Sequence, residues 1–165
     1  ALCEVQLYRL DILTKKRREL VARLTKSLKG IDGITVPRVP KGIYHVYYVY
    51  PFKIDEKKLG ISRDKLADAM AAEGYPLSKG YVEPLYLLPI FQKRHAFNAT
   101  RFPFDYRGMK QNYNKGICPV TEMLHEKELT YTMLCQHPRT RKDVDSFVRA
   151  LKKVLANKNE LRESR

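Results

Sequence analysis

The run from His45 to Phe52 constrains the fold of this chain more than any other segment. Its β-branched and aromatic residues are typical of a buried strand. About thirty residues later, the segment from Gly80 to Pro89 contains two prolines and two tyrosines, a composition that favours a rigid loop. We therefore interpret the two segments together as the wall of a substrate site.

Helical patterns alternate with these segments. Leucines recur at helical spacing and stop at Gly30, which predicts a long lead-in helix. Further helices are predicted to begin after Ser62 and Thr140 and at Pro119, with short strands at about 44–54 and 131–135. This order predicts an α+β fold, a small antiparallel or mixed sheet with helices packed on one side. We expect a single domain over residues 1–165, made of the lead-in helix 1–30, a small α+β domain 31–157 and a polar tail 158–165.

The stretch from 77 to about 116 has no periodicity, and its part from Phe91 to Tyr113 interleaves basic and aromatic residues. A long segment of this kind inside a compact domain is usually functional or partly disordered. One interpretation is an active-site or dimer-edge loop. The alternative is a surface for single-stranded nucleic acid, whose bases stack on aromatic rings.

The net charge is +14, from 32 basic and 18 acidic residues. Such an excess attracts polyanions, so a basic nucleic-acid-binding module is the main alternative function. The charges are spread along the chain, and the runs 15–18 and 152–153 are each predicted to lie on a solvated helix face. We therefore expect only nonspecific attraction to nucleic acid, and an anionic small substrate as another use of the excess.

Other functional signatures are missing from the sequence. No run of about 18 apolar residues occurs, which predicts a chain without a membrane span. We expect the widely spaced cysteines 3, 118 and 135 to be reduced, buried thiols in a cytoplasmic protein. No histidine pair has the i,i+4 spacing, and no glycine-rich phosphate loop or nucleophile signature occurs, so no catalytic, cofactor-binding or metal site is predicted. The glycosylation sequon at 98–100 is attributed to chance.

Several short motifs resemble, in order, those of one enzyme family. They are Gln6–Asp11 and Lys16–Leu20 in the first helix, His45–Phe52, Gly60–Leu66, the Pro84–Leu85 loop and the Cys118–Glu122 helix start. Over nearly its whole length the chain resembles the C-terminal, small domain of the DegT-type sugar aminotransferases. At two points it differs, since Gly80-Tyr81 stands where many members have His-Tyr, and Tyr86 where they often have histidine.

The resemblance implies a fold-type-I transferase that depends on pyridoxal phosphate and acts as a homodimer. It implies transfer of an amino group from glutamate or glutamine to a keto-sugar, usually nucleotide-linked, in the synthesis of cell-surface polysaccharides or natural-product sugars. The Schiff-base lysine and the phosphate-binding residues of such enzymes belong to the larger N-terminal cofactor domain. The chain alone is therefore expected to be inactive and to bind no cofactor, and its start inside a helix is expected for an excised piece.

The resemblance also implies substrate-binding roles for His45, Tyr48 and Tyr81, whose polar-tipped side chains suit a hydroxyl-rich sugar. For His45 and Tyr48 the alternative is a packing role within the core. A third alternative for the whole chain is a structural or regulatory domain that kept the fold without catalysis.

Overall fold

The structure is a computed structural model that describes residues 2–97, 101–108 and 110–163. Its helices are α1 (Leu2–Leu28), α2 (Glu56–Leu59), α3 (Arg63–Ala72), α4 (Pro89–Lys93), α5 (Pro119–Met123), α6 (Arg141–Ala156) and α7 (Lys158–Glu163). Its strands are β1 (Ile34–Thr35), β2 (Tyr50–Ile54) and β3 (Leu129–Thr132). Short 3-10 turns occupy Leu85–Leu87 and Tyr106–Gly108, and one π-helical turn, Leu124–Glu128, continues α5. The sequon at 98–100 lies outside the described residues.

The three strands form one antiparallel sheet in the order β1-β2-β3. Side chains alternate across β2, so Tyr50, Phe52 and Ile54 are buried on the inner face while Lys53 is exposed on the outer face. The Tyr50 hydroxyl lies 2.9 Å from the Thr25 hydroxyl on α1, which satisfies its polar tip. The structure confirms the predicted α+β class, with an antiparallel sheet.

The core lies between the inner face of the sheet and helices α1, α3 and α6. Its completely buried residues include Leu24 and Leu28 of α1, Leu66 of α3, and Phe147 and Leu151 of α6. Burying one such side chain is worth about 1.5–3 kcal/mol. Helix α6 contacts both α1 and α3, and therefore joins the long first helix to the rest of the core.

The predicted helix starts at Ser62, Pro119 and Thr140 are confirmed by their capping residues. Ser62 accepts a hydrogen bond from the Lys65 backbone at 3.2 Å, Thr140 and Asp143 form a capping box, and Pro119 is the first residue of α5. The segment expected to be a polar tail forms α7 over 158–163, and residues 164–165 lie outside the described part. Ala1 of the lead-in helix lies outside it as well.

Two strand predictions need correction. The strand predicted at 44–54 begins only at Tyr50, because Tyr47 has a positive φ of 50° and its backbone N–H is used by the His45 side chain. The strand predicted at 131–135 is observed at 129–132, because the chain turns after Thr132, whose hydroxyl accepts from the Leu134 backbone at 3.1 Å.

The cysteine prediction holds in part. All three thiols are free and Cys135 is buried, but Cys3 and Cys118 are exposed, so the expectation of burial is wrong for these two. Cys3 lies in the first turn of α1 and Cys118 directly precedes α5, and both lie outside the buried core. None of the described helices is long and apolar enough to cross a membrane.

Candidate functional site

The segment from Ile43 to Tyr48 lies against α1. Arg17 donates from NH1 to the Val46 carbonyl at 3.2 Å, and the Arg18 guanidinium carbon lies 3.8 Å from the centre of the Tyr44 ring. The prediction that the basic run 15–18 lies on a solvated helix face is therefore wrong for these two arginines, which are half-buried. Stacking on a tyrosine face and a carbonyl contact suit a guanidinium, so the two side chains fix this segment in place.

His45 and Tyr48 both lie on this segment, and both are exposed. Tyr48 keeps 65% of its surface, which excludes the packing role considered for it, and His45 is likewise outside the core. Nδ1 of His45 accepts a hydrogen bond from the Tyr47 backbone at 2.9 Å, so a neutral His45 ring carries its proton on Nε2. The Tyr48 carbonyl accepts from Gln136 Nε2 at 2.8 Å. The segment thus offers an imidazole donor and a phenol to solvent.

Tyr81 follows a short stretch that runs beside β3. The backbone N–H of Ser78 donates to the Tyr131 carbonyl at 3.1 Å, and that of Gly80 donates to the Leu129 carbonyl at 3.0 Å. The Tyr81 ring meets the Tyr131 ring edge to face, with centroids 5.4 Å apart. Tyr81 is 47% exposed, so this contact orients the ring while about half of the residue surface stays open to solvent.

Position 80 favours glycine over any residue with a Cβ for two separate reasons. Its φ is +82°, in the region that residues with a Cβ rarely adopt. A Cβ there would lie 2.5 Å from the His125 carbonyl oxygen and 3.0 Å from Nδ1 of the same residue. In this structure the backbone packs where a histidine side chain at position 80 would have to begin, which accounts for the Gly80-Tyr81 sequence.

Tyr86 and Glu122 form a clamp between the 3-10 turn and α5. The Tyr86 hydroxyl donates to Oε1 of Glu122, and the Gly116 backbone N–H donates to the same oxygen at 2.6 Å. The bonds from Tyr86 and Gly116 hold the pKa of Glu122 below its ordinary value. Desolvation and the bond to Glu122 raise the pKa of Tyr86 to about 12. The Glu122 carboxylate thereby connects Tyr86 and Gly116, on either side of the segment between them, to helix α5.

Arg63 fixes the π turn that supports Gly80. Its side chain is 4% exposed, and its guanidinium donates to the carbonyls of His125, Glu126 and Leu129 at 2.6–2.9 Å. These carbonyls belong to the end of the helical segment, where intrahelical donors are missing. Arg63, the first residue of α3, therefore supplies the hydrogen-bond donors that the carbonyls at the end of the π turn lack.

The structure places the three predicted substrate residues in two groups. His45 and Tyr48 share the segment on α1, whereas Tyr81 lies on the outer side of β3. Within the described residues no hydrogen bond or ring contact joins Tyr81 to the other two. All three are exposed, which leaves their polar groups available to a ligand or to a covering domain.

The sequence did not single out Arg17, Arg63, Tyr86 or Glu122 as residues that organise this site. A buried arginine inside an otherwise ordinary helix start leaves no local signal, although the Pro119-x-x-Glu122 spacing places an acid in the first turn of α5. Across the described ranges, no three His, Cys, Asp or Glu side chains come together as a metal site.

Comparison with known proteins identifies the family. The chain is 30% identical over 98 residues to the spore coat polysaccharide biosynthesis protein SpsC of Bacillus subtilis, covering 59% of this chain and 25% of SpsC. It superposes on an aminotransferase from Psychrobacter cryohalolentis with a TM-score of 0.70 at 21% identity, covering 93% of this chain and 37% of that one. For DesI, whose structure was solved in the presence of its TDP-sugar product, the TM-score is 0.66 at 17% identity, with coverage of 94% and 34%. The chain thus spans between a quarter and little more than a third of these proteins. Residues 1–133 match the model of the DegT/DnrJ/EryC1/StrS aminotransferase family, and the chain therefore belongs to that family.

Proposed function

We propose that this chain is the small domain of a pyridoxal-phosphate-dependent aminotransferase that transfers an amino group from glutamate or glutamine to a nucleotide-linked keto-sugar. The observation that carries the proposal is the family match over residues 1–133, in a chain that corresponds to about a third of solved relatives. The role of SpsC in polysaccharide biosynthesis and the TDP-sugar product of DesI support the substrate class. The parent enzyme is assigned to the cytoplasm, since two exposed free thiols favour a reducing compartment.

The exposed apolar side chains on the first half of α1 are evidence that another domain or subunit covers this helix. Five apolar or aromatic side chains there are 52–77% exposed: Val5, Leu7, Tyr8, Leu10 and Ile12. A concentration of this kind marks a surface that is buried in an assembly. We assign it to the cofactor domain of the same protein and to the second subunit of a homodimer.

The cofactor is assigned to the rest of the parent enzyme. A lysine that binds a carbonyl cofactor needs a desolvated setting that lowers its pKa. The described lysines are exposed except Lys65 and Lys158, which are half-buried and donate to the carbonyls of Leu161 and Leu59. The residues present therefore do not fit a cofactor cradle by themselves, and the chain alone is proposed to be inactive.

The contribution of this chain is to hold the sugar. His45 offers an Nε2 donor, and Tyr48 and Tyr81 offer hydroxyls that can both donate to and accept from sugar hydroxyls. Arg17 and the Tyr131 ring keep these groups in position, so little side-chain entropy is lost when substrate binds.

Tyr81→Phe in the intact enzyme tests the assignment. We expect kcat/KM for the keto-sugar to fall about three- to tenfold, the range for one lost hydrogen bond. The unfolding midpoint should not change, because the ring contact with Tyr131 is kept. Tyr75→Phe is the matched control, since its ring packs edge to face on Phe147 in the core. Full activity in Tyr81→Phe would remove this residue from the site, and an intact enzyme without transaminase activity would refute the proposed function.

A further inference from the structure

The segment from Phe91 to Tyr113 is organised by its own aromatic residues. Phe91, Phe104 and Tyr113 contact one another, with ring centroids 5.3–6.0 Å apart. The side chain of Gln92 donates to the carbonyls of Tyr86 and Tyr113 at 2.6 and 2.7 Å, and so links the two ends of the segment. These three mutually contacting rings form a small apolar cluster, which we call the aromatic base, within the basic segment.

Beside this base lies a cavity of about 380 Å³. Its lining consists of Arg94, Arg101, Phe104, Asp105, Gly108 and Lys110. Three side chains are cationic and one is anionic, and the volume lies within the range of small-molecule sites. The position of Arg94 is fixed, because its NH2 group donates to the Gln111 carbonyl at 2.8 Å.

Among the described residues, the cations of this cavity form no salt bridge, although Asp105 lines the same cavity. In the described part of the chain, no ion pair involves Arg94, Arg101 or Lys110. Lys115, just after the segment, does pair with a carboxylate, that of Glu126. Like charges held close together repel one another unless an anion joins them. Three cations without an ion pair therefore line one concave site.

We infer that this cavity binds the diphosphate of the nucleotide-linked substrate. Two guanidinium forks and one ammonium group can together contact several phosphate oxygens, and arginine suits bidentate phosphate contacts. A single carboxylate ligand would leave part of that donor set unused. The choice of a nucleotide-linked diphosphate rests on the proposed function, whereas the preference for phosphate rests on the cavity itself.

The test is a calorimetric titration of the full chain with inorganic pyrophosphate at about 0.15 M salt, where exposed charges are screened beyond roughly 8 Å. Arg101→Gln and Lys110→Gln should each weaken binding about three- to tenfold, and Asp105→Asn should tighten it about two- to fivefold. Lys142→Gln and Lys152→Gln remove the same charge from exposed positions on α6 and should change the affinity less than twofold. Lys110 is exposed and no hydrogen bond or ion pair of its side chain is seen among the described residues, so its variant is not expected to disturb folding.

Three outcomes overturn the inference. The first is no binding of pyrophosphate, and the second is equal weakening by the cavity and α6 variants, which would show an effect of net charge alone. The third is tighter binding of a single-stranded oligonucleotide than of pyrophosphate with the same sensitivity to Arg101→Gln, which would make the segment a nucleic-acid surface.

In the intact enzyme the same variants should raise KM for the nucleotide-linked sugar and leave kcat and the KM of the amino donor unchanged. This arm separates the two proposals. Pyrophosphate binding with the expected variant pattern, in a protein without transaminase activity, would refute the proposed function and keep the phosphate site. Transamination without any effect of the cavity variants would refute the site and keep the function.

Discussion

Replacing Arg63 by methionine tests how the helix end beside the site is stabilised. The substitution keeps the length and apolar stem of the side chain but removes every donor. Three carbonyls, those of His125, Glu126 and Leu129, then lose their hydrogen bonds to a buried guanidinium. The ion pair with Asp64 adds little, because that carboxylate is 53% exposed.

The magnitude follows from these bonds. A hydrogen bond to a charged group contributes about 1.5–3 kcal/mol, and a buried acceptor left without a partner costs about 1–3 kcal/mol. Since water can reach part of the opened site, we expect a loss of about 3–5 kcal/mol, which is large against a total stability of about 5–15 kcal/mol. For a domain of this size each kcal/mol shifts Tm by about 2–4 °C, so Tm should fall by about 6–20 °C.

The assay is urea and thermal unfolding followed by circular dichroism. Arg63→Lys should lie between wild type and Arg63→Met, because an ammonium group retains the charge without the planar fork. Arg149→Met is the control, since Arg149 is exposed on α6 and, among the described residues, its side chain hydrogen-bonds only the Ser146 hydroxyl. A loss below about 1 kcal/mol in Arg63→Met would refute the reasoning, because a surface substitution has an effect of that size.

Three further predictions concern the loops and thiols. Gly80→Ala should destabilise the chain by more than about 1 kcal/mol in urea unfolding, since the new Cβ meets a backbone oxygen and the positive φ is strained; an unchanged midpoint would contradict this. The pKa of Glu122 is lowered in the fold, so its ionised form stabilises the protein above the ordinary pKa of 4.5, and this contribution is lost as pH falls through the lower folded pKa. Glu122→Gln should accordingly be less stable than wild type at neutral pH and lose less stability between about pH 5 and pH 2, as urea midpoints would show; parallel curves would exclude this role. Cys3 and Cys118 should react quickly with a thiol reagent at neutral pH, whereas Cys135, whose pKa burial raises to about 12, should react only on unfolding, and a count of three fast thiols would contradict its burial.

Sequence reasoning worked where the signal is local. Ser62, Pro119 and Thr140 act within one helical turn, so each helix start could be predicted from neighbouring residues. The order of the predicted helices and strands indicated the α+β class and the resemblance indicated the family, and both are confirmed. The roles of the proposed substrate residues remain predictions.

The remainder depends on contacts between distant parts of the chain. Val46 belongs to a strand-like sequence, but an arginine 29 residues earlier holds it against α1 outside the sheet. Arg63 contacts carbonyls more than 60 residues later, and Glu122 meets a tyrosine 36 residues earlier. β-propensity describes a half-buried extended surface, so it could not separate an edge segment on a helix from a sheet strand.

The stretch at Ser78–Gly80 also has a consequence for how this sheet behaves among other molecules. Strand β3 is an end strand, and a free end strand exposes unpaired backbone groups that can capture a strand of another protein. Here the Ser78 and Gly80 N–H groups bond the carbonyls of Tyr131 and Leu129, and the Ser78 hydroxyl accepts from the Tyr131 N–H. The opposite edge, β1, is only two residues long. The sheet is therefore closed to extension on one side and too short for it on the other, which protects it from edge-to-edge aggregation.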